Sequence, residues 1–163
     1  MAKTQSPVRT WSLSPIVAAD EPWYYRNKME FTFSERRWLM PGELGKPAVD
    51  VDFALGLHVP GTFYKVLDTR ACLLQPDPGN TLLGQVREFA RSSKEPVYGL
   101  KSHTGFWRFL MLRHSVADDR WMVNIVTASD KRHHLQPLVD SLTADRPDIA
   151  AVVNNITSRR AGI

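Results

Sequence analysis

From Tyr64 onward the apolar residues of this chain change spacing in an order that few folds accommodate: alternating, helical, alternating twice, helical, alternating. Tyr64-Lys-Val-Leu-Asp68 follows a tight Pro60-Gly61 turn and reads as a short strand. A helix is predicted to start near Asn80, because Leu82, Val86, Phe89 and Ala90 share one face at helical spacing, and Pro96 blocks any continuation. Phe106-Trp-Arg-Phe-Leu-Met-Leu-Arg113 is apolar on both faces, the mark of a central strand. Ala117-Asp-Asp-Arg120 then closes a hairpin to Trp121-Met-Val-Asn-Ile-Val-Thr127. Leu135, Leu138, Val139 and Leu142 predict a second helix from about Lys131 to Thr143; Pro137 fits only in first turns, so the start is expected at or after His133. Val152-Val-Asn-Asn-Ile-Thr157 supplies the last strand. This succession predicts an α+β fold: a mainly antiparallel sheet with two helices, built on a ferredoxin-like βαββαβ core.

The N-terminal part adds to that core. Residues 1–22 hold Pro7, Pro15 and Pro22 among small polar residues and read as a partly extended lead-in, with 23–163 forming a single α+β domain. Trp23-Tyr-Tyr-Arg-Asn-Lys-Met-Glu-Phe-Thr-Phe-Ser34 alternates along a strand. Tyr24, Arg26, Lys28, Glu30, Thr32 and Ser34 fall on one face, and Tyr25, Asn27, Met29, Phe31 and Phe33 on the other. A charged, tyrosine-bearing face suits a polyanion with unstacked bases; the same pattern also describes an ordinary amphipathic strand. Turn residues Pro41 to Pro47 lead to Val51-Asp-Phe-Ala-Leu-Gly-Leu-His58, which returns as a second strand, so an N-terminal β-hairpin should extend or flank the sheet.

At 163 residues the chain is long enough to bury a core without disulfides or metal. Lys and Arg number 21 against 17 Asp and Glu, a net charge of +4 that leans toward nucleic acid. No apolar run reaches bilayer length and no secretory signal is visible, so a cytoplasmic protein without membrane contact is expected. The single cysteine, Cys72, agrees with a reducing compartment.

Little of the sequence looks like a reaction centre. Pro41-Gly-Glu-Leu-Gly45 and Pro60-Gly61 lack the strand-to-helix setting of a phosphate-cradling loop, and the five histidines show no zinc spacing. Cys72 reads as a free core residue unless a neighbour activates it, and His103 as a loop histidine unless it serves as a general base. One reading is therefore a small ferredoxin-like enzyme using Cys72 or His103 with an acid such as Asp68; another is a structural spacer. Asn154-Asn-Ile-Thr-Ser-Arg-Arg160 offers amides, hydroxyls and guanidiniums that contact phosphates or base edges, or else forms a polar edge strand. It runs out on Ala161-Gly-Ile163 without a closing element, as expected of a boundary inside a longer protein.

Tyr25-Arg-Asn-Lys-Met-Glu-Phe31, Leu55-Gly-Leu-His58, Cys72, Ser102-His-Thr-Gly-Phe-Trp-Arg108, Val123-Asn-Ile-Val-Thr127 and Asn154-Asn-Ile-Thr157, taken in order, resemble the central region of the RNA uracil-5 methyltransferases, which act on ribosomal and transfer RNA. The likeness runs from about residue 15 to the end. It implies a larger protein with an N-terminal RNA-binding module and a C-terminal Rossmann-like domain for S-adenosylmethionine. The family's catalytic thiolate and carboxylate base would lie in that C-terminal part, so no catalytic residue and no methyl transfer is expected here. Many members also hold a four-iron (4Fe-4S) iron-sulfur cluster on three cysteines ahead of the central domain and one within it. Cys72 resembles that fourth ligand, but one thiolate does not hold a cluster that takes four, so no cofactor is expected in this chain. Arg26 and Lys28 match the family's basic motif at a strand start, which implies RNA contact. Tyr24, Arg26, Lys28, Asn154, Arg159 and Arg160 are accordingly the expected RNA-binding residues, with RNA and the protein's own N- and C-terminal domains as partners.

Overall fold

The computed structural model describes residues 11–47 and 50–160. Strands β1 (Lys28–Ser34), β2 (Ala54–His58), β3 (Val66–Asp68), β4 (Trp107–Ser115), β5 (Arg120–Thr127) and β6 (Ile149–Ile156) form one sheet in the order β3-β2-β1-β4-β5-β6. Every junction is antiparallel except β5–β6, where helix α2 (Arg132–Thr143) makes the crossover that parallel neighbours require. Helix α1 (Asp77–Ser92) joins β3 to β4.

The alternation read from the sequence decides which face carries the helices. Met29, Phe31 and Phe33 of β1, Leu110 and Leu112 of β4, and Val123 and Ile125 of β5 are buried in one cluster with Leu82, Leu83 and Val86 of α1 and Leu135, Leu138 and Leu142 of α2. Trp107 is fully buried, its ring centroid 5.6 Å from Phe33 and 6.1 Å from Phe89. Its indole N–H donates to Ser93 Oγ at 3.0 Å, which satisfies a donor that would otherwise be costly to bury.

The α+β class, the mainly antiparallel sheet and the two helices are present, and from Val66 the chain follows the order β-α-β-β-α-β. The N-terminal hairpin sits elsewhere than at the margin. β1 and β2 are inserted between β3 and β4, which therefore run antiparallel and are not interleaved as in a split βαβ unit. Three large apolar residues on one face of β1, Met29, Phe31 and Phe33, belong to the buried cluster, as suits a strand in the middle of the sheet.

Element ends differ from the sequence reading for local reasons. β1 begins at Lys28, not Trp23, because Tyr24 adopts a left-handed φ of 57° and the N–H groups of Tyr24 and Arg26 turn aside to the Leu73 and Leu74 carbonyls. Helix α1 begins at Asp77, three residues before Asn80, since Pro78 is tolerated in a first turn. Asn80 instead accepts from the Cys72 N–H at 2.9 Å and from Gln75 Nε2 at 2.8 Å, pinning the preceding loop to the helix. Helix α2 starts at Arg132, one residue before the limit set by Pro137, whose missing N–H would have faced the exposed His133.

β3 is held at its edge by charge. Arg87 Nε on α1 meets Asp68 Oδ1 at 3.0 Å, and Arg87 also donates to the Leu55 and Thr69 carbonyls. Asp68 in turn accepts the Leu55 N–H and pairs with Arg70 at 2.9 Å. No helix among the described residues is long and apolar enough to cross a membrane.

Candidate nucleic-acid interface

The sheet face away from the helices is where polar strand residues were expected to meet solvent, yet Thr32 and Ser34 are buried. The segment 97–105 runs beside the start of β4, where Val97 bridges Trp107 in parallel. Tyr98 and Gly99 return hydrogen bonds to the Trp107 and Thr104 carbonyls, and His103 turns at a φ of 57°. Gly105 closes the turn at a φ of 122°, where a Cβ would run into the Val97 carbonyl. Between this segment, the β2–β3 loop and the chain beyond β6 lie two adjoining depressions bordered in common by Leu100.

The first, of about 530 Å³, is walled by Trp38 and Tyr64 and bears Arg36, Arg37, Lys65 and Lys101 against a single acid, Glu35, in its described lining. Lys65 Nζ lies 3.9 Å from the Trp38 ring centre and Lys101 Nζ 4.5 Å from that of Tyr64, so both amino groups rest on aromatic faces. Arg37 contributes less, because its fork is taken by Glu43 at 2.7 and 3.1 Å. That hydrogen bond raises the Arg37 pKa and holds the Glu43 carboxyl below its ordinary range.

The second depression, of about 550 Å³, is lined by Phe63, Tyr98 and Phe109 together with His58, Arg108 and Arg160. The buried Arg108 stacks 4.3 Å from the Tyr98 ring centre and donates to the Thr157 carbonyl at 2.7 Å, fixing the chain beyond β6 to the sheet. His58 faces Thr32 Oγ1 at 2.9 Å, and burial pushes its pKa below the ordinary value, favouring the neutral ring.

Of the residues singled out in the sequence, Arg160 lies in this groove, with Arg159 beside it. Tyr24 and Arg26 lie against the Leu73–Leu74 backbone, and Lys28 pairs with Glu30 at 2.7 Å. Lys28 is four register positions along β1 from Thr32, roughly 13 Å at strand spacing, so the two basic groups occupy opposite ends of the strands. Asn154 Nδ2 donates to the Ile125 carbonyl and Thr127 Oγ1, both at 3.0 Å, and ties β6 to β5.

Sequence reasoning passed over Arg36, Trp38, Phe63, Tyr64, Lys65, Lys101 and Phe109. The signal was present in Thr62-Phe-Tyr-Lys65, where bulky rings and a cation follow a Pro-Gly turn with no buried side to occupy.

Cys72 is buried at 8% exposure in the apolar cluster, and among the described residues no group of three or more His, Cys, Asp or Glu side chains could hold a metal ion. One thiol with an amide-clasped backbone does not match the donor set of a four-iron cluster. Asp68, the acid suggested beside His103, is committed to Arg87 and Arg70. Among the described residues no hydrogen bond or ion pair joins Cys72, His103 and Asp68.

No family model matches the chain. It is 40% identical over 152 residues to a protein of Chlorobaculum tepidum named an uncharacterized RNA methyltransferase, covering 90% of this chain and 31% of that one. A Porphyromonas gingivalis protein of the same name is 32% identical over 158 residues, covering 93% of this chain and 34% of its own. Among solved structures, the Pyrococcus abyssi tRNA (uracil-54, C5)-methyltransferase in complex with S-adenosyl-L-homocysteine superposes with a TM-score of 0.62 at 17% identity, over 91% of this chain and 30% of that one, and shares the fold. The chain spans about a third of the length of the curated relatives it matches. Over nearly all of its length, then, this chain is a relative of one segment of the proteins named RNA methyltransferases.

Proposed function

We propose that this chain is the central, RNA-positioning portion of an S-adenosylmethionine-dependent RNA uracil-C5 methyltransferase acting on ribosomal or transfer RNA. Residues 23–163 form its working unit in the cytoplasm, and methyl transfer belongs to further domains with which it packs. The observation that carries the reading is the groove on the helix-free sheet face, where cations alternate with exposed rings: Arg36, Trp38, Tyr64, Lys65, Lys101, Phe63 and Arg160. Cations neutralise phosphates without regard to sequence, and rings accept any unstacked base, so such a surface holds folded RNA by its loops. Arg159 adds charge beside it, while Tyr24, Arg26 and Lys28 offer a second contact at the far end of β1 for a longer RNA.

Binding of a fluorescent RNA hairpin across salt concentrations tests this. Four groove cations that pair with no carboxylate among the described residues (Arg36, Lys65, Lys101 and Arg160) predict a log–log slope of about −3, at roughly −0.7 per single-strand phosphate. Undetectable binding at low salt refutes the proposal.

A further inference from the structure

We infer that the cavity lined by Phe63 is a single-nucleotide pocket, taking one everted nucleotide of a single strand with its base against the aromatic walls and its phosphate at Arg160. The inference rests on the RNA reading above and goes further by naming the unit bound. Its volume of about 550 Å³ falls within the range of small-ligand sites, roughly 300–1,000 Å³. Phe63, Tyr98 and Phe109 come from three different segments yet line one hollow, and Phe63 stands 66% exposed at its mouth. A phenyl ring that exposed contributes little to folding and much to any flat partner that covers it.

The polar groups complement a nucleotide and not merely an apolar ligand. Arg108 and Arg160 supply positive charge, and no acidic side chain is part of the lining among the described residues. His58 and His103 line the hollow beside the rings; the Nε2 of His58 is engaged by Thr32 Oγ1, which leaves its Nδ1 to meet a base edge. Arg108 is held by the Thr157 carbonyl and stacked on Tyr98, so its charge is in place before any ligand arrives. A duplex keeps its bases paired and stacked and presents nothing that enters such a hollow, whereas a loop nucleotide does.

The test has two arms on the whole chain. Uridine 5′-monophosphate titrated by NMR should shift the His58, Phe63, His103 and Phe109 resonances, and Phe63→Ala should abolish the shifts. In the second arm, Phe63→Ala should weaken binding of a single-stranded uridine octamer roughly 5- to 150-fold while leaving the salt slope unchanged, and Phe63→Trp should restore affinity. Nucleotide binding without octamer binding supports the pocket as a site for free nucleotides and overturns the RNA reading. Octamer binding that Phe63→Ala changes less than twofold, with no nucleotide shifts, overturns the pocket and leaves the RNA reading standing. Shifts that survive Phe63→Ala, or no binding in either arm, also overturn it.

Discussion

Replacing Arg87 with Met should cost about 3–5 kcal/mol, because it strands a carboxylate that folding has taken out of water. Arg87 is 2% exposed at its side chain and Asp68 5%. The substitution keeps the length and apolar volume of the side chain, so what it removes is the guanidinium and its bonds to Asp68, the Leu55 carbonyl and the Thr69 carbonyl. Burial lowers the Arg87 pKa and Asp68 opposes that effect, the balance expected of a pair that desolvation disfavours and mutual attraction retains. Arg70 still reaches Asp68 at 2.9 Å, but it is 65% exposed and screened, so it offsets only part of the loss. Urea unfolding read by tryptophan fluorescence measures the change as a lower midpoint at constant slope. Adding Asp68→Leu to Arg87→Met should recover more than half of the loss, since removing both charges leaves none unpaired. A single-variant cost below about 1 kcal/mol would refute the claim that this pair anchors β3 and, with it, the loop that presents Phe63 and Tyr64.

Gly56→Ala should destabilise by at least about 2 kcal/mol, because its Cβ would collide with the Leu67 carbonyl and approach the Thr69 nitrogen to 2.6 Å, whereas Gly84→Ala, with nothing within 4 Å on α1, should gain about 0.5–1 kcal/mol; thermal melts separate the two. Burial depresses the His58 pKa, so as the pH is lowered through the ordinary value near 6.5 the unfolded chain takes up the proton first and stability is lost toward acid. His58→Gln should therefore flatten the acid side of the stability profile, and an unchanged profile would refute the assignment. The Cys72 thiol, buried in the apolar cluster, should label with a thiol reagent only at the rate of opening, at least 10²-fold slower than in urea-unfolded chain; immediate labelling of the folded chain would contradict its placement.

What the sequence disclosed, and what it concealed, divides along locality. The apolar residues of β4 and β5 and the stripes of α1 and α2 specify their elements within ten or so positions, and those elements form as read. The start of β1 was hidden because Tyr24 turns at a left-handed φ to satisfy bonds with a loop some fifty residues away. Thr32 and Ser34 look solvent-facing by alternation, yet both are buried, Thr32 against His58 and Ser34 with its hydroxyl on the Arg36 carbonyl, partners that alternation does not disclose. The groove is assembled from residues 34–44, 51–65, 97–109 and the chain beyond β6, and no window of sequence contains it. Lys28 shows the converse: it reads as a free cation, and Glu30 occupies it. Relationship to RNA methyltransferases was legible from short ordered segments, of which 55–58, 123–127 and 154–156 lie within β2, β5 and β6.

Ultraviolet crosslinking of a bound uridine-rich RNA, followed by peptide mapping, tests most directly whether the helix-free face carries the strand. The account predicts crosslinks on peptides holding Trp38, Phe63, Tyr64 and Phe109, lost in Lys65→Glu/Lys101→Glu chain. Crosslinks confined to Trp23, Tyr24 and Tyr25, or to the outer faces of α1 and α2, would contradict it.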